Sequence, residues 1–452
     1  MTNPRMIVPA ESYAKLFAHA LPILPGARDA AVRRQREASF ERFRAFGFPG
    51  PKTEEWKYTQ VAPLVRLAYG LPDPARLDRS ALAPYLLPER SAQRAVFING
   101  RFAPELSDMS SAQSGVEITT LAGALENGLA SDVLAYSEEP EQAREREQNR
   151  GFGALNAAMF GDGCFIRLAA GAVPRRPLHL LFVSVGQEAP LLISPRNVIV
   201  LGNGAALDLV ETHLAIGQGR NLTNLVNRVI VGQGAALRHD RLQIGEVDGT
   251  LIGRTQYEIS ADARLTQTLA TLGGALVRNE IEALLDGPRI EAQLNGLYLT
   301  RDRQHIDNVI RIVHAQPGSH SDQFYKGVLD GQAQAAFAGK IIVERPAQKT
   351  NAYQRNNNLL LSPDAEVDTK PELEIFADDV KCSHGATVGE LDEGELFYLR
   401  SRGLDPQTAR GLLTFAFAGE VLERFANATV AAQARREILR WLPGGAALGE
   451  LG

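Results

Sequence analysis

The sequence predicts a mainly β protein in which a parallel β-helix core lies between α-helical regions at the two ends. After Gly163, short β-branched and Leu-rich runs alternate with Gly, Asn and Asp, which is typical of many short strands. Two of these runs, 197–207 and 227–237, match in register 30 positions apart and are identical at six of eleven positions. Repeats of this length without a long helical pattern between them favour a parallel β-helix over a doubly wound α/β sheet. A β-propeller, whose blades need roughly 40 to 50 residues, ranks second.

Three regions are expected along the 452 residues. A mainly helical N-terminal region is predicted for 1–160, the parallel β-helix core for 161–385 and a C-terminal helical domain for 386–452. These bounds follow the change from helical to strand texture and back again.

The N-terminal region contains one clear amphipathic helix. Phenylalanines at every third position on a charged background predict a helix over Ala30–Phe46, and Gly47 supplies its C-terminal cap. The charged run 138–150 predicts a solvated helix or linker, and no function is assigned to it.

The C-terminal domain is predicted to hold two longer helices. Asp405 supplies an N-cap and Pro406 follows at the first helical position. The apolar residues that come next occupy much of the helix circumference, so this helix should bury more than one face. A final helix over 430–442 ends before Pro443. The pair is a candidate docking surface, and an intramolecular core is the alternative.

Composition places the chain among ordinary globular proteins, with 44% hydrophobic and 22% charged residues. Its 48 basic and 53 acidic side chains give a net charge of -5, which argues against nucleic acid or anionic lipid as partners. The N-terminal stretch lacks a signal-peptide pattern, and no apolar run reaches the roughly 20 residues of a membrane-spanning helix. We therefore expect a cytoplasmic protein.

The chain has only two cysteines, Cys164 and Cys382. A reducing cytosol would keep both as thiols, and paired Cys-x-x-Cys spacings are absent. The chain alone cannot supply four thiolates for a zinc ribbon or a complete iron–sulfur cluster, so any metal site must borrow ligands from another chain. Packing is the expected role of Cys164.

Nucleotide-binding motifs are absent. The Gly-x-Gly pairs that begin at Gly202 and Gly232 lack the third glycine and the following helix of a dinucleotide fold, and they predict turns between coils. Because no Gly-x4-Gly-Lys-[Ser/Thr] loop occurs, any ATPase must be a partner. Five histidines in or beside predicted strands are interpreted as structural: His213, His239, His305, His314 and His320.

The segment 371–384 carries the strongest candidate chemistry. Its alternation is typical of a strand, and a period of two places Val380, Cys382 and His384 on one face. A thiolate beside an imidazole forms a half-site for iron or another soft to borderline metal. A small buried cysteine next to a surface histidine is the alternative. A Cys-His hydrolase is disfavoured, because neighbours on one strand lie side by side instead of facing each other.

Three stretches resemble the SufD family. They are 370–389, which contains Cys382, Ser383 and His384, the segment 397–403 and the early motif Glu-Glu-Trp-Lys-Tyr-Thr at 54–59. The resemblance covers both ends and the repetitive middle. The related SufB proteins typically carry more cysteines and a different early motif, so the scarcity of thiols favours SufD.

The resemblance implies a right-handed parallel β-helix between helical ends and a non-catalytic scaffold role in a SufBCD-type complex. Such a subunit pairs with a SufB-like subunit through the β-helix and with a SufC-like ATPase through the helices at 404–442. A nascent iron–sulfur cluster would form at the shared interface, with a SufB cysteine and His384 as ligands and Cys382 as a neighbouring second ligand or transfer group. No cofactor is expected on the chain alone. Whether two copies of the chain pair with each other when SufB is missing is left open.

One enzymatic alternative remains at this point. A stand-alone β-helix enzyme could act on carbohydrate, with acidic residues doing the general acid-base work. Such enzymes are usually secreted, which conflicts with the expected cytoplasmic location.

Overall fold

The 30-residue repeat of the sequence reappears as the register between neighbouring strands. Asn197 pairs with Asn227, and Leu207 pairs with Leu237, across adjacent parallel strands. Each repeat places one strand in each of two facing sheets, so the chain forms a parallel β-solenoid of about eight turns. The predicted β-helix core between helical ends is confirmed.

The computed structural model describes residues 6–50, 52–73, 75, 77–88, 92–109, 113–137, 151–245, 248–445 and 448. The charged run 138–150 lies outside these residues, so the helix or linker expected there stays a prediction.

Sheet I is one of the two solenoid sheets, and β22 lies at its C-terminal edge. From that edge, its described strands are β22 (Lys381–Gly389), β20 (Asn351–Leu360), β18 (His320–Leu329), β16 (Glu291–Thr300), β14 (Arg264–Leu272), β12 (Ala236–Ile244), β10 (Ala206–Ile216), β7 (Leu178–Val185), β3 (Gln93–Ile98) and β4 (Arg101–Phe102).

Sheet II faces sheet I across the lumen, and β21 lies at its C-terminal edge. From that edge, its described strands are β21 (Glu366–Ile375), β19 (Gln334–Val343), β17 (His305–His314), β15 (Leu276–Leu285), β13 (Thr250–Ile259), β11 (Leu222–Val231), β9 (Arg196–Leu201), β6 (Cys164–Leu168) and β5 (Val116–Thr120). The short β8 (Leu192–Ile193) pairs with β11, and β1 (Met6–Ile7) forms a separate antiparallel pair with β2 (Phe48–Pro49).

Helices precede the solenoid, interrupt its strands between β5 and β6, and follow it. The described α-helices are α1 (Glu11–Ala20), α2 (Ala30–Phe46), α3 (Ala62–Val65), α4 (Arg79–Leu82), α5 (Leu121–Glu126), α6 (Ala130–Ser137), α7 (Gly151–Met159), α8 (Glu393–Ser401), α9 (Pro406–Leu422) and α10 (Ala428–Trp441). Short 3-10 turns occupy Glu54–Trp56, Ala83–Tyr85 and Pro104–Leu106. No helix among the described residues is both long and apolar enough to cross a membrane.

The predicted ends of α2 and the predicted start of α9 agree with the structure, whereas α10 begins two residues and ends one residue earlier than the predicted 430–442. Helix α2 has the predicted bounds, and Gly47 caps it with φ 62°. Helix α9 begins at Pro406, and the Asp405 carboxylate accepts hydrogen bonds from the backbone N–H groups of Gln407 and Thr408.

Alternate side chains of each strand fill the lumen between the sheets. Tyrosine rings and glycines interlock there: a Cβ at Gly296 would overlap the Tyr325 ring, and a Cβ at Gly327 would overlap the Tyr298 ring. The register places these residues opposite each other in β16 and β18, so each ring occupies the gap that a glycine leaves.

The helical regions cover different outer faces. Helices α1, α2 and α7 pack on the first residues of sheet II strands, including Leu222 and Ile252. Helices α9 and α10 pack on the outer face of sheet I, where Val421 and Leu422 join a cluster with Phe324. The buried apolar side chains stabilise the attachment of both helices to the solenoid.

The solenoid extends beyond the predicted core at both ends. Strands β3 to β5 precede residue 161 and join the two sheets, and β22 continues past residue 385 to Gly389. The division into three regions as separate folding units stays a prediction.

Candidate functional site

The last coil of the solenoid is open to solvent. Strand β22 has a single neighbour, β20, and every residue from Ser383 to Gly389 is exposed. The coil before it is covered, because β20 lies between β18 and β22. An edge strand of this length presents unpaired backbone groups and is a template for pairing with another chain.

Cys382 and His384 lie on the lumen side of β22. Their register partners in β20 are Ala352 and Gln354, whose side chains are buried in the lumen. The shared face that the strand period predicts is therefore present. Among the described residues, no further coil is stacked on β22. Side chains on the lumen side of β22 therefore lie at the surface.

The two side chains differ in their surroundings. Cys382 is half-buried and packs against a small apolar cluster that includes Ile341, Val343 and Ala377. His384 is exposed beyond the edge of that cluster. The thiol is therefore held by packing, whereas the imidazole faces solvent.

Burial raises the pKa of the Cys382 thiol, and a hydrogen bond with the Ala352 backbone partly opposes this shift. The thiolate is the metal-binding form of cysteine, so the raised pKa disfavours ligation by Cys382 alone at neutral pH. A nearby metal cation would reverse this preference, because it stabilises the thiolate.

The described residues do not form a complete metal site. The described residues contain no group of three or more His, Cys, Asp or Glu side chains that could hold a metal ion. Cys382 and His384 lie on the same face of one strand, and their role as a metal half-site stays a prediction.

Large apolar side chains surround the open coil. We call Tyr353, Ile375, Phe376 and Val388 the terminal patch, and all four are exposed, Phe376 by 57%. They are spread over the open coil: Tyr353 pairs with Ser383 on the outer face of sheet I, Val388 lies on the lumen face near the end of β22, and Ile375 ends β21. Exposed apolar side chains beside an unpaired strand edge are available for contact with another protein.

The C-terminal helices are held on the solenoid by polar contacts as well as by apolar packing. Arg424 donates to the Asn295 side chain at 2.9 Å, and Lys326 donates to the Phe417 carbonyl at 3.0 Å. Asp240 accepts from the backbone N–H groups of Ala426 and Asn427. One face of the predicted docking surface at 404–442 is therefore buried in contacts with the solenoid of the same chain.

Helix α8 exposes two aromatic side chains to solvent. Phe397 and Tyr398 are 73% and 57% exposed, the largest exposures among the aromatic residues of the C-terminal helices. They lie between the open coil and α9 in the chain, outside the 404–442 stretch on which the sequence argument concentrated.

The early motif at 54–59 has a structural role that sequence reasoning missed. The Arg278 guanidinium lies 3.7 Å from the centre of the Trp56 ring, and it donates to the Thr59 hydroxyl and the Glu55 carbonyl. Asp307 pairs with the same arginine. The motif thus fixes the N-terminal region to sheet II, through partners about 220 positions away that no local pattern identifies.

A second missed feature is a polar cluster buried in the lumen. Glu211 pairs with Arg241 at 3.2 Å and with His213 at 2.5 Å, and it accepts from Asn227 at 2.9 Å. His239 bridges Glu211 and the Tyr257 hydroxyl. These partners outweigh burial and hold the pKa of Glu211 well below its usual range. His213 and His239 are buried and hydrogen-bonded in this cluster, and Cys164 is fully buried, which agrees with the structural roles expected for them.

Comparison with known proteins agrees with these features. Residues 182–417 match the family model described as SUF system FeS cluster assembly, SufBD core domain, and residues 8–180 match the SufBD protein N-terminal region. An iron–sulfur cluster assembly SufBD family protein of Synechocystis sp. is 32% identical over 92% of both chains. The iron–sulfur cluster assembly protein SufD of Escherichia coli is 30% identical over 88% of this chain and 90% of its own.

The similarity extends to a plant protein. The chloroplastic protein ABCI7 of Arabidopsis thaliana is 29% identical over 90% of this chain and 85% of its own. The two family models together span the helical N-terminal region, the solenoid and part of α9. The chain therefore belongs to the SufB/SufD family of iron–sulfur cluster assembly proteins.

Proposed function

We propose that the chain is a non-catalytic scaffold subunit of a SufBCD-type complex that assembles iron–sulfur clusters. It contributes His384, with Cys382 as a second donor or transfer group, to a nascent cluster at the interface with a SufB-like partner. The observation that carries this proposal is the open last coil, where both donors lie on an exposed strand edge.

The open edge favours a partner that pairs with strands. Strand β22 has one free edge, and the terminal patch beside it is apolar. A SufB-like solenoid could continue both sheets across this end, adding backbone hydrogen bonds along the edge and burying the patch. A second copy of this chain offers the same edge, so self-pairing is expected when the SufB-like partner is missing.

The donor atoms suit iron. Imidazole nitrogen and thiolate sulfur both ligate iron, and a cluster usually has four protein ligands. The nascent cluster is the cargo of this site, and the partner supplies the remaining ligands. Pairing would also exclude water from Cys382 and His384, which protects a cluster held there.

The C-terminal helices are proposed to bind a SufC-like ATPase. Phe397 and Tyr398 on α8 are the exposed apolar contacts for such a partner. Helices α9 and α10 are anchored to sheet I through Arg424 and Asp240, so displacement of the helices would be transmitted to the solenoid. ATP binding on the partner could then open the interface that holds the cluster.

Replacement of the proposed ligand tests the function. His384→Ala removes an exposed side chain, so folding and complex assembly should be unchanged, while cluster formation in cells should fall sharply. Ser383→Ala is the matched control, because Ser383 is exposed on the opposite face of the same strand. The measurement is the activity of iron–sulfur enzymes in cells that depend on this system.

Normal cluster formation in His384→Ala would remove the ligand role and leave the scaffold role standing. Purification from the same cells separates the scaffold from the carbohydrate-active alternative. A stable complex with a SufB-like protein and an ATPase supports the scaffold in the cytoplasm, and a monomer that cleaves polysaccharide contradicts it.

A further inference from the structure

A column of lumen side chains leads to His384 through sheet I. The register aligns Leu294, Gln323, Gln354 and His384 in four successive strands, β16, β18, β20 and β22. Neighbouring strands lie about 4.8 Å apart, so in-register side chains on one face stack against each other. Gln354 is therefore the direct neighbour of His384 on the inner side.

The Gln354 amide is held in one orientation. Its Nε2 donates to Oε1 of Gln323 at 2.9 Å, and the residue is 1% exposed. From the facing sheet, Gly339 leaves the space that this amide occupies, because a Cβ at position 339 would overlap Nε2. The amide group thus has a fixed donor side that faces Gln323, in the deeper coil.

The carbonyl oxygen of the Gln354 amide has no hydrogen-bond donor. Oε1 of Gln354 is sealed from solvent and has no hydrogen-bond partner. Because Nε2 already donates to Gln323, the carbonyl oxygen is the atom of this amide that is free to accept a hydrogen bond. His384 is the residue of the column in the next coil, and an imidazole N–H is a suitable donor.

We propose that Gln354 is a positioning residue for His384. Its side-chain carbonyl accepts a hydrogen bond from one ring N–H of His384, which continues the Gln323–Gln354 ladder and fixes the tautomer of the imidazole. The second ring nitrogen then keeps its lone pair for a metal. Metal-binding histidines generally donate their other ring N–H to such an acceptor. This inference rests on the proposed ligand role of His384.

Tautomer measurements on the full-length chain test the hydrogen bond without a cluster. The chain has eight histidines, so selective 15N-histidine labelling and a His384→Gln reference spectrum identify the His384 ring nitrogens. At a pH where the ring is neutral, wild type should show one protonated and one bare nitrogen. In Gln354→Met the two shifts should move towards each other, because the acceptor is lost and the tautomers mix.

Two further variants separate a specific hydrogen bond from a packing effect. Gln354→Glu keeps an acceptor at this position and should retain the wild-type tautomer. Gln323→Met makes the same change one coil deeper and should alter the His384 spectrum less than Gln354→Met. Affinity of the reconstituted complex for its cluster should fall about 10- to 100-fold in Gln354→Met, with partial rescue in Gln354→Glu.

An unchanged His384 spectrum in Gln354→Met overturns the proposal. So does a reversed tautomer in Gln354→Glu, which would mean that Gln354 donates to the ring in wild type. If the tautomer responds as expected but His384→Ala assembles clusters normally, the hydrogen bond stands and the proposed function fails.

Discussion

At the scale of single residues, Cys382 and His384 share a face but not an environment. The strand period was enough to predict the shared face, because side chains alternate whatever the surrounding structure. It could not decide between a metal half-site and the alternative of a buried cysteine beside a surface histidine, and in the structure Cys382 is packed in an apolar cluster while His384 is exposed. That difference depends on the position of β22 as the last strand of sheet I.

The buried Glu211 cluster illustrates what sequence reasoning misses at this scale. Glu211 and Arg241 lie 30 positions apart and meet because they are register partners in β10 and β12. A charged residue in a strand usually indicates a solvent-facing position, and only the stacking of coils turns both residues into the lumen. The repeat length, once recognised, is the signal that could have paired them.

Removal of the Glu211 carboxylate should be strongly destabilising. Glu211→Ala leaves Arg241 charged and unpaired in the lumen, at an expected cost of about 3–5 kcal/mol in the free energy of unfolding. Asp208→Ala is the matched control, because Asp208 and Arg238 form an exposed pair on the same two strands, worth less than about 1 kcal/mol. Chemical denaturation measures both.

A paired replacement tests the cause. Glu211→Leu combined with Arg241→Met removes both charges and should recover much of the lost stability, because no buried charge is left uncompensated. A double variant as unstable as Glu211→Ala would contradict the assignment of the loss to an unpaired arginine.

At the scale of elements, the local sequence predicted where helices begin and end. It did not predict which surfaces the helices pack against. Gly47, Asp405 and Pro406 act through neighbouring backbone groups, so their roles follow from residues within four positions. The contact of α9 and α10 with sheet I depends on Asp240 and Arg424, which lie far apart in sequence. The sequence alone could therefore not distinguish the face of these helices that would bind a partner from the face that is buried against sheet I.

The Asp240 carboxylate predicts a pH dependence for the attachment of these helices. Burial raises its pKa to about 6, although the Asn427 and Ala426 backbone N–H groups oppose the shift. Between the ordinary aspartate value near 4 and about 6, the folded chain binds this proton and the unfolded chain does not, so stability falls as pH rises.

Asp240→Asn should remove this contribution. The stability of Asp240→Asn relative to wild type should rise by about 2 kcal/mol between pH 4 and pH 7, since the variant carries no charge to desolvate. Urea denaturation at a series of pH values measures the difference. Asp302→Asn, at a carboxylate that is 77% exposed, should follow the wild-type curve. A constant difference between Asp240→Asn and wild type would rule out this group as the source.

At the scale of the whole molecule, the solenoid determines where a shared site can form. Stacked coils satisfy each other's backbone groups, so only the two ends are left with unpaired strands. The sequence repeat between 197 and 237 predicted this architecture, since its spacing equals the register of the strands. The exposure of the terminal patch could not be predicted, because the same types of apolar residue occur in strands of inner coils, where they are buried, and in the last coil, where they are exposed.

The central claim is that His384 is a ligand of a cluster at this open end. Electron-nuclear double resonance on the complex, reconstituted with a 15N-histidine-labelled chain and a reduced paramagnetic cluster, measures this most directly. We predict a 15N hyperfine coupling to the cluster that is present in wild type and Ser383→Ala and absent in His384→Ala. The same 15N coupling in His384→Ala, or none in wild type, would contradict the claim.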